Sequence, residues 1–186
     1  LHGDGTIITN AVTFVNTGTL ALGNTANDTL LFNAGLTAIL QSGVTLNGKI
    51  RTSGDTISVG DFGKAVTLAG TTSVLDTTNN GGMAAGGAII VGETVDGTAA
   101  NTQGLTVNGG TGGTATFSGH IGETTPLGTL TLTNGNLAIG AYNITASGIT
   151  VNTGGTFGLA ASPSGDWDVG DVDIAGGATM NATAPP

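Results

Sequence analysis

Cysteine is absent from this chain of 186 residues, the only bases are Lys49, Arg51 and Lys64, and no apolar run approaches the ~20 residues of a membrane-spanning helix. Without cysteine there are no disulfide staples, no thiolate ligands and no thiol nucleophile. That suits a bacterial protein outside the cell that does not rely on disulfides, and is equally compatible with a reducing compartment. Three bases against twelve carboxylates leave a formal charge of −9. Nucleic acid is excluded as a partner, because neutralising phosphates takes clustered Lys and Arg, and an anionic membrane surface is disfavoured for the same reason. No membrane-spanning segment is expected. The chain starts at Leu1 rather than Met, which is expected of a processed protein or a fragment whose signal peptide has gone.

Helical periodicity is also missing. No window of a dozen residues repeats apolar positions at three and four, and the best helical stretch, Leu31 to Gln41, is broken by Gly35. Charged residues make up only 8% of the chain, yet 38% are hydrophobic and many alternate with Thr or Asn, so the chain is expected to fold and not to remain disordered.

What fills the sequence is glycine, 35 of them, between short bursts of alternating apolar residues. Strands are expected at Thr6-Ile8, Val12-Val15, Thr19-Leu22, Val44-Leu46, Thr56-Val59, Ala65-Leu68, Ile89-Val91, Leu105-Val107 and Ala115-Phe117, each bounded by Gly, Asn, Asp or Thr. The clearest region holds the apolar pairs Leu130/Leu132, Leu137/Ile139, Tyr142/Ile144, Ile149/Val151 and Phe157/Leu159, whose starts step by 7, 5, 7 and 8 residues. Within each burst, alternate residues point the same way, so one face is buried and the other carries Thr or Asn. Phe117, Ile121, Leu127, Leu130, Leu132, Leu137, Ile139, Ile149, Val151 and Phe157 are the expected core.

Two all-β architectures use such bursts. In a parallel β-helix, or β-solenoid, three bursts make one coil of ~20–25 residues and coils stack at about 4.8 Å, which gives this chain about eight rungs. In an antiparallel β-sandwich or jelly roll, the bursts pair through hairpins at Asn134-Gly135 and Asn80-Gly81. The solenoid is the preferred reading, as a single domain over 1–186 with a loop-rich seam near 77–88.

Chemistry-bearing residues are few. His2 and His120 are the only histidines and have no Cys to complete a zinc set, so His120 reads as a solvated turn residue. Gly109-Gly110-Thr111-Gly112-Gly113 lacks the Lys and the following helix of a phosphate loop and reads as a turn. Asp166, Asp168, Asp171 and Asp173 crowd into eight residues and form a candidate Ca²⁺ site. Their spacing is neither that of an EF-hand nor that of a calcium-binding β-roll, and alternation sets Trp167 and Val169 opposite Asp166 and Asp168. Lys49 and Arg51 share a strand face. A polysaccharide-cutting β-helix enzyme that acts on uronates would need such bases, but a solvent-facing rim is the simpler reading and no catalytic residue is assigned.

From Gly109 to Asn134 the chain reads GGTGGTATFSGHIGETTPLGTLTLTN. This segment resembles a repeat of large bacterial surface proteins of the filamentous-haemagglutinin and autotransporter-adhesin type, through Gly113, Thr114, Phe117, Gly119, Ile121, Gly122, Thr124, Thr125, Pro126, Leu127 and Leu130. The match covers about one seventh of the chain, which is short for such proteins and shows no recognisable secretion domain or translocator barrel. The resemblance implies a right-handed parallel β-helix, an extracellular location and a structural or adhesive role; from the residues themselves, no enzyme activity is expected and no cofactor beyond the candidate Ca²⁺. The expected partners are copies of the same chain, stacked head to tail through residues 1–22 into a surface fibre, or neighbouring repeats of a longer adhesin shaft.

Overall fold

The computed structural model describes residues 1–60, 64–140, 142–159 and 167–182, and within them every regular element is a β-strand. Among the described residues all strand ladders are parallel, and the one antiparallel pair is the isolated bridge Ser53–Thr78. The fold is a β-solenoid in which each strand pairs with its counterpart one turn earlier and one turn later. The sandwich alternative fails on this point, since hairpin-linked strands pair antiparallel.

Three walls run the length of the stack. Along the first, the inward residues in register are Thr6, Leu30, Ile50, Leu75, Val107, Leu132, Val151 and Ile174. Along the second they are Val12, Leu36, Ile57, Ile89, Ala115, Leu137, Phe157 and Met180. The third wall carries Leu20, Val44, Val66, Val95, Ile121, Ile144 and Trp167. Successive first-wall residues are 24, 20, 25, 32, 25, 19 and 23 positions apart, seven turns that join eight stacked rungs, in keeping with the about eight expected. The long step, from Leu75 to Val107, contains the 77–88 loop. That Asn- and Gly-rich stretch is a protrusion at one corner between two walls, and the ladders continue past it.

The strands follow from the alternation. Gly43–Thr52 alternates half-buried and buried residues without a break, with Val44, Leu46 and Ile50 inside and Thr45, Lys49 and Arg51 outside. All ten expected core residues are buried, each at 1% exposure or less. They join one contiguous cluster, with Phe32, Phe117 and Phe157 its largest side chains. The stretch Leu31 to Gln41, the nearest thing to a helix in the sequence, instead contributes to Thr29–Phe32 and Leu36–Ala38, with Gly35 at the corner between them. Its periodicity gives way because the apolar residues on either side of Gly35 are claimed by two different walls.

Corners are set by residues that tolerate left-handed backbone. Asn134-Gly135 is not a hairpin but a bend within the strand Leu127–Ile139, where the chain passes from the first wall to the second. Gly135 has φ 94°, and a Cβ there would lie 2.6 Å from the Gly110 carbonyl oxygen one turn below, so only glycine fits. Asn80-Gly81 is likewise a turn in the 77–88 loop, with Asn79 and Asn80 at φ 50° and 59°.

The rungs at the two ends are bare on one side. Ile8, Val12 and Phe14 in the first turn are only partly buried, although Phe32, Leu36 and Ala38, their partners one turn on, are fully buried. In the last turn Val172 and Ile174 are 45% and 40% exposed, while Ile149 and Val151, directly in register, are buried. Leu1 begins the first turn by pairing with the third wall, donating its terminal ammonium to Ala21 O and accepting the Gly23 N–H at 2.8 Å. Reading Leu1, Thr6–Ile8 and Val12–Thr13 against Trp167–Ile174 and Thr179–Ala182, the first and last described rungs present the same three walls in the same order.

Candidate functional site

The acidic segment is divided by the fold. Asp166 lies outside the described residues. Asp168 stands on the outer face of the third wall, in register with Thr145, and Trp167 and Val169 turn inward, as alternation requires. Gly170 makes the corner, and Asp171 and Asp173 then project from the outer face of the first wall beside Gly148 and Thr150. Among the described residues, no three His, Asp or Glu side chains converge to hold a metal ion.

His120 is more deeply tied in than a solvated turn residue. Val95 N–H donates to its carbonyl, and its ring Nδ1 accepts the Asn143 N–H at 2.8 Å, so it bridges neighbouring turns. Its ring meets Tyr142 edge to face at 5.4 Å, and Nε2 lies 3.9 Å from Glu123. His120 does sit in a turn with its side chain 31% exposed, as expected, and its added bond to Asn143 goes with the thinning of the third wall at this turn to the single bridge residue Ile121.

Lys49 and Arg51 do share the outer face of the first wall, and the structure adds what the sequence hid. The 77–88 loop stands beside them and encloses an open groove of about 330 Å³, with Val74 on its floor and Thr106, Asn108 and Thr133 from later turns along its side. Asp76 anchors the loop. Its Oδ1 accepts Thr78 N–H at 2.9 Å and Thr78 Oγ1–H at 2.6 Å, and its Oδ2 accepts Asn80 N–H at 2.8 Å. Arg51 Nη2 donates to Asn80 Oδ1 at 3.0 Å. Its Nε lies 3.3 Å from Asp76 Oδ2 without aiming its N–H at that oxygen, so that contact is an ion pair and not a hydrogen bond. Lys49 has no side-chain hydrogen bond or ion pair among the described residues.

Sequence reasoning missed Asp76, Asn80, Thr106 and Asn108 because their nearness to Arg51 depends on the register between turns, 25 residues and more away. The local signal was Asp76-Thr77-Thr78-Asn79-Asn80-Gly81, a run whose carboxylate can accept the backbone N–H groups that follow it.

A second buried carboxylate shapes a corner. Asp28, 5% exposed, accepts the Asn24 N–H at 2.7 Å and the Thr25 hydroxyl at 3.1 Å. The Asn24 bond is the main cause of a carboxyl held below the usual range, in opposition to burial, and the Thr25 bond adds to it.

Compared with protein-family models, with curated proteins and with solved structures, the chain matches none.

Proposed function

We propose that this chain is a structural, non-catalytic element of the bacterial cell exterior, whose solenoid stacks end to end with further copies of itself into a surface fibre. The observation that carries the reading is the contrast between equivalent positions. Val172 and Ile174 are 45% and 40% exposed, where the same wall positions one turn earlier are buried. A further parallel rung would remove that apolar surface from water and pair the open backbone edge of Trp167–Ile174. The first rung, with Ile8, Val12 and Phe14 half-covered, offers the complementary edge. Contact between opposite ends of identical subunits is heterologous and propagates as an open fibre.

An extracellular setting rests on the resemblance of Gly109 to Asn134 to surface-protein repeats. Electron microscopy and sedimentation of the purified chain test the reading. Filaments are expected, with V172K/I174K remaining monomeric because two ammonium groups would enter the interface. A wild-type chain that sediments as a monomer at high concentration, with no filaments on the grid, would instead favour a segment of an adhesin shaft whose neighbouring rungs belong to the same polypeptide.

A further inference from the structure

The groove on the first wall has a charge opposite to that of the molecule that carries it. Lys49 and Arg51 contribute two positive charges and Asp76 one negative, a local balance of +1 in a chain of −9. The Asp76 carboxylate is taken up by the loop, both oxygens already accepting N–H or O–H groups from Thr78 and Asn80. Its charge is directed at Arg51, and the Lys49 ammonium is left without a partner among the described residues.

The groove also presents polar groups of a second kind. The hydroxyls of Thr106 and Thr133 and the Asn80 side-chain amide nitrogen line the groove, and none of these atoms is bonded within the described residues. Val74 provides an apolar floor between them. A volume of about 330 Å³ is at the small end of ligand sites, room for a short piece of a chain and not for a folded partner.

We infer that this groove binds a uronic-acid unit of an acidic polysaccharide, its carboxylate on Lys49 and the free edge of the Arg51 guanidinium, its ring hydroxyls on Thr106, Thr133 and Asn80, and one C–H face of the ring on Val74. The ligand class follows from the combination. A carboxylate answers an unpaired ammonium beside an arginine, several hydroxyls answer several unbonded polar groups, and a pyranose ring presents both with an apolar face. The groove opens sideways from the stack, so the inference stands whether the rungs continue into other copies or into more of one chain.

Isothermal titration of the purified chain with trigalacturonate, and with neutral galactotriose as the counterpart, tests this at low ionic strength. Saturable binding of the acidic trisaccharide only is expected. It should weaken about tenfold in K49M, the loss of one charge-assisted hydrogen bond. K64M, which removes a cation that donates to Ile39 O and does not line the groove, should bind as the wild type does. Circular dichroism of each variant confirms an unchanged fold. Absence of saturable binding, equal binding of the neutral sugar, an unaltered K49M, or a K64M as weak as K49M would each overturn the assignment.

Discussion

Leu132 lies in register beneath Val151, one turn of chain later, and both side chains are buried in the same inward column of the first wall. Truncating Leu132 to Ala leaves a gap bounded by rigid ladders above and below that cannot close in on it. The expected cost is ~2–5 kcal/mol, read from chemical denaturation. A change below about 0.5 kcal/mol, the size of an ordinary surface effect, would show that the column is not packed as described.

Gly135 offers a backbone test of the corner. In Gly135→Ala the residue must hold φ 94° with a Cβ 2.6 Å from Gly110 O and 2.7 Å from Gly113 O. A loss of at least ~1–2 kcal/mol is expected from the left-handed conformation alone, with more from the clash. If Asn134-Gly135 were a hairpin turn open to solvent, the same change would carry only the conformational part.

Acid should weaken the corner that Asp28 holds before it affects the core. Asp28 has its folded carboxyl pKa lowered, chiefly by the Asn24 N–H, so the charged form is favoured by folding. The stability it contributes is complete above the unfolded carboxylate pKa of about 3.9 and is lost as pH falls through the lower folded value. Asp28→Asn should be less stable than the wild type at neutral pH, with the difference shrinking as the solution is acidified below pH ~4. Thermal melts of both proteins across that range provide the measurement.

For the acidic segment, calorimetry with calcium separates a site from a charged rim. Asp168 and the pair Asp171 and Asp173 stand on different walls, so no saturable heat is expected at millimolar calcium, the range of weak extracellular sites. A saturable titration that disappears in Asp171→Asn/Asp173→Asn would show that the carboxylates meet around an ion after all.

The sequence carried the solenoid because a parallel β-coil repeats its demands locally. Ile149/Val151 had to answer Leu130/Leu132 one turn later, and Phe157 had to answer Leu137, so alternation and burst spacing were enough to name the buried face. Corner chemistry was less legible. Asn134-Gly135 satisfies the requirements of a type I′ hairpin as well as those of a bend between walls, and only the neighbouring turn, invisible in the local sequence, decides between them. The groove was hidden for a related reason: Lys49 and Arg51 were visible as a pair, but their surroundings come from Val74, Thr106 and Thr133 on three later turns and from the loop that Asp76 folds.

The seven turns also fix how the molecule would respond to force. Hydrogen bonds between rungs run along the axis, while the covalent chain winds around it, so tension applied lengthwise is carried by the non-covalent ladders first. A turn detached from an exposed end, such as the 24 residues from Thr6 to Leu30, pulls out from a rise of about 4.8 Å to a contour of roughly 80 Å. The remaining turns keep their pairing, because each touches only its neighbours. A rod built this way yields by uncoiling in steps, and each step lengthens it many times over before any peptide bond is strained.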